Sequence, residues 1–286
     1  MFSVLTINAA LQDVRLLSRS LYRPVGYINE RLSVLAAEIR KLNPDIVCIQ
    51  ELFHHDLQQQ FYSWLHAQYS HAAGFAKKGF KLRLGNELIL LSRFPLTGGK
   101  HMRFRHASLE ERLFTSKGSY RVFVTIPGVG EIQLINFHLT AGGIRQHPEH
   151  PVMENIRSLQ IQQLLSMLSP GIPVILAGDL NAGPDVSIVN YEQILKAGFI
   201  DAFAESGGTG ITWDPANPLV ANHGENNLPP QRIDHIFLNS MAAKILKPDT
   251  GRVVLNALGI HLKDNHLIPV SDHYGIQVDF RINNKI

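Results

Sequence analysis

The segment Pro173–Asn181, with the sequence PVILAGDLN, joins a short apolar run to a polar end. The run Pro173–Ala177 is too short for a typical helix and is typical of a buried strand. Gly178 allows the backbone to turn sharply, so that Asp179 and Asn181 lie close together beyond the strand. Polar groups at strand ends meet at one edge of a sheet, where α/β proteins build their sites. The segment therefore predicts an α/β fold with a site at that edge.

The same alternation of apolar runs and polar ends extends along the chain in both directions. Helical spacing of apolar residues predicts helices over Glu30–Leu42, Asp56–Tyr69, Met153–Leu168 and Val186–Lys196. Further short apolar runs predict strands over Phe2–Ile7, Ile46–Ile49, Leu88–Leu91, Tyr120–Ile126, Ile132–Phe137, Ile233–Leu238 and Tyr274–Phe280, with Ser206–Pro230 as a loop. Strands that alternate with helices, and one hairpin among them, favour two packed sheets with helices outside.

The composition is that of a globular protein, with 45% hydrophobic and 18% charged residues in a chain of 286. We find no internal repeat and no long linker, and we therefore expect one domain over residues 1–286. The single cysteine, Cys48, excludes an internal disulfide and is expected to be a small buried hydrophobe. A net charge of +3 fits an anionic substrate without requiring one.

The N-terminus lacks the basic flank and the cleavage site of a signal peptide, and it reads as a core strand. No apolar run is long enough to span a bilayer. We expect a soluble monomer, either cytoplasmic or exported by a route that needs no cleaved signal.

Carboxylates at strand ends are candidate ligands for a hard cation. Glu51 follows the apolar run Ile46–Ile49, and Mg²⁺ prefers such oxygen donors. The alternative is a surface glutamate that merely ends a strand. Asp179 and Asn181 offer a carboxylate beside an amide, a pair that can orient water and hold a phosphate oxygen. An Asx turn is the competing interpretation of that pair.

Ser271-Asp272-His273 is the strongest local signal for catalysis. Neighbouring side chains diverge, so Asp272 is expected to face a metal while His273 faces the reacting water. Another carboxylate must then orient the His273 ring, and Asp234 is the candidate. A solvated Asp-His pair in a loop is the alternative. His138, at the end of another predicted strand, is either a donor to a phosphate oxygen or a structural histidine.

These motifs occur in an order that closely resembles the endonuclease/exonuclease/phosphatase superfamily, from Asn8 to His273. The resemblance implies a four-layer α/β sandwich of the DNase I-like type, dependence on Mg²⁺ (or Mn²⁺) and hydrolysis of phosphate esters. It also implies a role for each matched residue: Glu51, Asn8 and Asp272 as metal ligands, His273 as general base with Asp234 as its partner, Asp179 and Asn181 to position nucleophile and phosphate, and His138 to bind a phosphate oxygen.

Within the superfamily, the chain looks most like the neutral sphingomyelinase branch. Four motifs carry this likeness: Ser116-Lys117-Gly118, His138-Leu139-Thr140-Ala141, Asn155–Gln160 with Arg157, and Thr212-Trp213-Asp214. The likeness makes Lys117, Asn86 and Trp213 expected substrate-binding residues. Trp213 is interpreted either as an interface contact or as packing of its loop. The chain departs from the branch at Ala9-Ala10, at His235 and at Glu87, and no hydrophobic β-hairpin for membrane contact is expected.

The expected activity is that of a phosphodiesterase of the sphingomyelinase type, with peripheral membrane contact as a corollary. The alternatives are a Mg²⁺-dependent nuclease acting on DNA or RNA, an inositol-phosphate phosphatase, and an inactive member that serves as a binding module. For the nuclease, the segment Lys100–Arg112 is either a phosphate-binding strip or a solvated face.

Overall fold

The computed structural model describes residues 1–16, 19–76, 86–108, 111, 117–141, 147–220, 228–263 and 265–283. The helices in these ranges are α1 (Ile28–Leu42), α2 (His55–Leu65), α3 (Pro151–Leu165), α4 (Ile188–Lys196), α5 (Ala202–Glu205) and α6 (Ser240–Ile245). The first eight strands are β1 (Phe2–Leu11), β2 (Val14–Leu16), β3 (Arg19–Tyr22), β4 (Ile46–Leu52), β5 (His71–Ala73), β6 (Ile89–Ser92), β7 (Leu96–Arg103) and β8 (Gly118–Ile126). The others are β9 (Gly130–His138), β10 (Val174–Asp179), β11 (Phe199–Asp201), β12 (Asp234–Asn239), β13 (Leu246–Val254), β14 (Ile260–His261), β15 (Leu267–Ile268) and β16 (Gly275–Ile282).

Two six-stranded mixed sheets form the body of the fold. The first sheet has the order β13-β16-β1-β4-β6-β5 and the second has the order β11-β12-β10-β9-β8-β7. Each contains one central parallel pair, β1 with β4 and β9 with β10, flanked by antiparallel neighbours. A parallel pair requires a crossover connection, which α1 supplies in the first sheet and α3 in the second.

Three layers of apolar packing hold this arrangement together. The inner faces of the two sheets meet in one core, which includes Cys48, Leu134 and Val278. The outer face of the first sheet packs on α1 and α2, and that of the second sheet packs on α3 and α4. The result is the four-layer sandwich expected from the sequence. Cys48 is fully buried, as expected, and burial raises the pKa of its thiol.

A buried polar contact joins the two sheets below one edge. Gln50 Nε2 on β4 donates to Asn136 Oδ1 on β9 at 2.7 Å, and Asn136 Nδ2 donates to the carbonyls of Ile49 and Ile89. Burying such amides is unfavourable unless their hydrogen bonds are satisfied, so this contact fixes how the sheets face each other. The adjoining strand ends are thereby held in a defined relation.

The predicted elements are present with shifted ends, and two expectations require correction. The first strand does not stop at Asn8 but continues to Leu11, through a register shift against β4. Gly178 does not form a turn, because it lies inside β10, where a Cβ would approach Phe137 O to 2.0 Å. Glycine is therefore required for close strand packing. A hairpin, β14 and β15, does precede Ser271, with Leu258 and Leu267 exposed. Its two-residue strands are too short to give a sequence signal.

In the described part of the chain, no helix is long and apolar enough to cross a membrane.

Candidate active site

The site lies at the edge where the two central parallel pairs end. Asn8 and Glu51 are near the ends of β1 and β4, and His138 and Asp179 end β9 and β10. Asp234 enters the same edge because β12 runs antiparallel to β10 and pairs with it there. Asp272 and His273 come directly before β16, the antiparallel neighbour of β1. The fold thus gathers every residue that the superfamily motifs single out, and we call this edge the rim.

His273 and Asp234 form a buried hydrogen-bonded pair across the two sheets. His273 Nδ1 lies 2.9 Å from Asp234 Oδ2, as the sequence predicted. Although burial opposes the ring's charge, the Asp234 carboxylate raises the pKa of His273 to about 10. The opposite ring atom, Nε2, lies 4.0 Å from Asp179 Oδ2. The ring therefore has one nitrogen held by a carboxylate and the other turned towards the centre of the rim.

The backbone around this pair is also fixed. Thr212 Oγ1 accepts hydrogen bonds from the amides of Ile233 and Asp234, and Tyr274 N donates to Thr212 O. The Thr212–Trp213 segment is thus held to both halves of the pair, which fixes the position of the His273 ring relative to Asp234.

Asp179 is the most central carboxylate of the rim. Its Oδ2 accepts a hydrogen bond from Asn8 Nδ2 at 3.0 Å and lies 3.3 Å from His138 Nε2. Its Oδ1 accepts from Asn181 N at 2.8 Å, which is the Asx turn considered as an alternative. Burial opposes the Asp179 charge, but the nearby side chains of His138, His273 and Lys117 hold its pKa below the usual value. Asp179 thus combines turn formation with a place facing the base.

Asn8 and Asn181 orient their amides towards protein groups. Asn8 Oδ1 accepts from Ala10 N, while its Nδ2 also lies 3.4 Å from Glu51 Oε1. In this conformation, the Asn8 side-chain nitrogen faces the Glu51 and Asp179 carboxylates, and its oxygen is not turned towards a cation bound between them. Asn181 Nδ2 donates to Leu139 O at 2.9 Å, which ties the loop after β10 to the end of β9.

Two rim residues other than glycine occupy the left-handed region of the backbone. Glu51 has φ 58° and Asn181 has φ 51°. Such conformations cost about 1–3 kcal/mol each and persist only where the surrounding structure enforces them. These backbone conformations set the direction of the Glu51 and Asn181 side chains at the ends of β4 and β10. The sequence did not indicate a left-handed backbone at Glu51.

Glu87 is a site residue that sequence reasoning missed. It is fully buried, and its Oε1 lies 3.0 Å from His138 Nδ1. On the other side of the ring, Lys117 Nζ donates to His138 Nε2 at 2.8 Å, so the ring proton is on Nδ1 and is donated to Glu87. In this arrangement Nε2 faces Lys117 and Asp179, and the phosphate-binding role that the resemblance implied for His138 stays a prediction. Glu87 was noted only as a departure from glycine, and that departure was the available signal.

The three expected substrate-binding residues face the protein. Lys117 is buried, and its ammonium contacts His138, Leu139 O at 3.0 Å and Glu111 at 3.4 Å. Asn86 uses its amide on the backbone of Gly74 and Leu88, at the edge of the first sheet.

Trp213 is only 6% exposed and packs with Val186, Val220 and Ile233. The structure therefore favours packing for Trp213 over contact with an interface.

The carboxylates of the rim fit a divalent cation. Burial raises the pKa of Glu51, with Glu87 and Asp272 contributing in the same direction, so a positive ion there would relieve both desolvation and repulsion. Asp179, Asp234 and His273 also present atoms within 4.8 Å of one another. An ion among these three would compete with the His273–Asp234 hydrogen bond. Glu51 and Asp272 take no part in that hydrogen bond, and their role as cation ligands stays a prediction.

The basic segment Lys100–Arg112 begins at the end of β7, the outer edge strand of the second sheet. Lys100, Arg103 and Arg105 are exposed, as a solvated face would be, while Arg112 lies outside the described residues.

Structural comparisons agree with this description. A beta toxin from Staphylococcus aureus with bound magnesium ions superposes with a TM-score of 0.76 at 17% identity, over 97% of this chain and 98% of the other. Sphingomyelinase C from Streptomyces griseocarneus gives 0.73 at 17% identity, over 97% and 98%. Truncated TDP2 from Caenorhabditis elegans gives 0.65 at 19% identity, over 98% and 96%. A search of curated protein sequences finds no significant match.

These likenesses, all below a quarter identity, establish the fold. The sequence itself matches the profile of one family over residues 6–273, a span that contains every rim residue described above. The chain therefore belongs to the Endonuclease/Exonuclease/phosphatase family, whose members are phosphoesterase hydrolases.

Proposed function

We propose that this protein is a divalent-metal-dependent phosphodiesterase of the sphingomyelinase type. One observation carries the chemical part of the proposal: the buried His273–Asp234 pair presents Nε2 towards Asp179, beside the carboxylates of Glu51 and Asp272. This is a base, a partner that orients it and a cluster of oxygen donors within one rim. Such a set suits attack of water at phosphorus without a covalent enzyme intermediate.

The residues of the chain divide the work as follows. In its neutral form, His273 takes a proton from the attacking water at Nε2, and Asp234 stabilises the imidazolium that forms. Asp179 accepts a hydrogen bond from the same water and holds it in line with the phosphorus. Asn181, at the strained turn after β10, is placed next to the phosphate. Lys117 and Glu87 fix the His138 ring from opposite sides and provide a charged wall behind the phosphate.

Glu51 and Asp272 would hold the cation, with Asn8 bracing the Glu51 and Asp179 carboxylates. A bound Mg²⁺ or Mn²⁺ supplies positive charge that neutralises the developing charge on the phosphoryl oxygens. Without the cation, the Glu51, Glu87 and Asp272 carboxylates repel one another, and nothing neutralises the charge on the phosphoryl oxygens. We therefore expect little activity when the cation is removed.

The choice of a phospholipid-type substrate rests on the four motifs shared with the sphingomyelinase branch. Lys117 contacts the His138 ring, Arg157 donates to the carbonyls of Thr140 and Ala141, and Thr212 anchors the Asp234 backbone. All four motifs therefore support the rim directly. A nuclease gains most of its affinity from neutralised phosphates, and a net charge of +3 supplies little of that.

The test is a hydrolysis assay with Mg²⁺ or with EDTA. Its substrates are sphingomyelin, lysophospholipids, single- and double-stranded DNA, RNA and inositol phosphates. Faster turnover of sphingomyelin or a close relative than of DNA, lost in EDTA, is the expected result. Rapid cleavage of nucleic acid without lipid turnover would replace the proposal with the nuclease. No turnover of any substrate would favour a binding module.

A further inference from the structure

Arg31, on α1, is fully buried and bonds only to backbone carbonyls among the described residues. Nε donates to Gly26 O at 2.8 Å, and Nη2 donates to Ala10 O at 2.6 Å. Nη1 donates to both Ala9 O at 2.9 Å and Val270 O at 3.1 Å. Burying a guanidinium without a carboxylate in hydrogen-bond contact is costly, so these four bonds need a structural reason.

Two of the acceptors are created by the irregular end of β1. The pairing of β1 with β4 shifts register between Asn8 and Leu11, and Ala10 lies in the left-handed region with φ 49°. A bulge of this kind leaves backbone groups outside the ladder. The Ala9 and Ala10 carbonyls are buried, and they take their hydrogen bonds from Arg31.

The third acceptor belongs to a distant part of the sequence. Val270 immediately precedes Ser271 and Asp272, so the Arg31 side chain connects the segment that carries Asn8 with the segment that carries Asp272. A second bond joins the same segments, from Ser271 Oγ to Asn8 O at 2.6 Å. Both links adjoin Asp272, which is one proposed cation donor, and Asn8, which braces Glu51, the other.

We propose that Arg31 is a positioning residue that holds the Asn8 and Asp272 segments at the separation required for cation binding. This inference rests on the proposed function. The planar guanidinium is essential to this role, because its three nitrogens must donate four hydrogen bonds in fixed directions. A lysine at this position would keep the charge but could not make all four bonds.

Arg157 provides a matched control on the other sheet. It is also fully buried, on α3, and it also donates to carbonyls directly after a strand, Thr140 O and Ala141 O. Its remaining bonds go to Pro148 O, Ser187 Oγ and Asn190 Oδ1. It therefore secures the His138 side of the rim and touches neither cation-donor segment.

The experiment measures Mn²⁺ binding to the full chain directly, by calorimetry and by electron paramagnetic resonance, for the wild type, Arg31→Lys and Arg157→Lys. We expect Arg31→Lys to weaken Mn²⁺ binding about 10-fold or more, the size typical for residues that orient metal ligands. Arg157→Lys should stay within about 2-fold of wild type, although both variants lower the melting temperature. A folded Arg31→Lys with unchanged Mn²⁺ affinity, or an equal loss in Arg157→Lys, would overturn the inference.

If Arg31→Lys does not fold, Ser271→Ala tests the second link between the same two segments; it also removes the contacts of Ser271 Oγ with Asp272 Oδ1 and His273 N. We expect weaker Mn²⁺ binding with the circular dichroism spectrum retained, and unchanged binding would count against the inference. Absence of Mn²⁺ binding by the wild type would instead overturn the proposed function, and with it this inference.

Discussion

The two sheets build their halves of the rim on the same plan but fill it with different chemistry. In each, a parallel pair joined by a crossover helix ends at the rim. That helix buries one arginine against carbonyls in the last residues of the first strand or just after it. The first sheet contributes the carboxylate of Glu51 and the amide of Asn8, whereas the second contributes the imidazole of His138 and the carboxylate of Asp179. The strand layout therefore determines where polar groups meet, while the identity of the residues at the strand ends determines whether these groups suit a cation or a phosphate.

His273 is the point at which this division fails, and it yields the largest expected effect. It precedes a strand of the first sheet but pairs with Asp234 of the second. We expect His273→Ala to lower kcat by about 10³-fold or more, and Asp234→Asn to reproduce much of that loss, because general base catalysis is worth about 10²–10⁴-fold. Steady-state kinetics with saturating Mg²⁺ measures both.

The control for this prediction is another buried Asp-His pair. Asp201 Oδ2 lies 3.2 Å from His235 Nδ1 and 2.6 Å from Arg232 Nη1. Asp201→Asn should lower the melting temperature while keeping kcat within about 10-fold. A His273→Ala variant that kept a tenth of the wild-type rate would show that His273 is not the base.

Glu87, which shortly precedes β6 of the first sheet, fixes the ring of His138 at the end of β9 in the second sheet. We expect Glu87→Gln to lower kcat roughly 10- to 100-fold, because the amide fixes neither the ring proton nor the charge behind it. KM for a soluble phosphodiester should change less than kcat. A drop in melting temperature with normal kinetics would reduce Glu87 to a structural role.

The sequence predicted the layers, the rim and the His273–Asp234 pair. Strand ends are local signals, and the order of the motifs along the chain resembles that of a known superfamily. The sequence could not predict Arg31 as a clamp, since its acceptors Ala9, Ala10 and Val270 come from two distant segments. It missed β13 and β7, whose exposed residues give no apolar run. It also misread Gly178 as a turn, because only the packed neighbour Phe137 reveals why no side chain fits there.

The pH dependence of stability tests the electrostatic side of the comparison. The pKa of His273 is about 10 in the folded protein without a cation, against roughly 6.5 when unfolded. A raised folded pKa contributes stability that is complete below pH about 6.5 and is lost as pH rises through about 10. The difference in free energy of unfolding between wild type and His273→Asn, measured by urea denaturation in EDTA, should therefore shrink over that window. A constant difference would contradict the pairing.

The smallest expected effect concerns substrate presentation. Trp213 is buried, so Trp213→Ala should lose packing energy of about 3–5 kcal/mol, as for other large core truncations. The ratio of activity on micellar sphingomyelin to activity on a small soluble phosphodiester should stay within about 2-fold of wild type. Loss on micelles alone would place the indole at an interface despite its burial.

The most direct test of the central claim is the cation dependence of hydrolysis in wild type and Glu51→Gln. The assay follows a chromogenic soluble phosphodiester across a Mg²⁺ titration, with EDTA as the zero point. We predict that wild-type activity disappears in EDTA and returns with Mg²⁺, and that Glu51→Gln stays at least about 10²-fold lower at every Mg²⁺ concentration. Full wild-type activity in excess EDTA, or a normal Mg²⁺ response in Glu51→Gln, would contradict it.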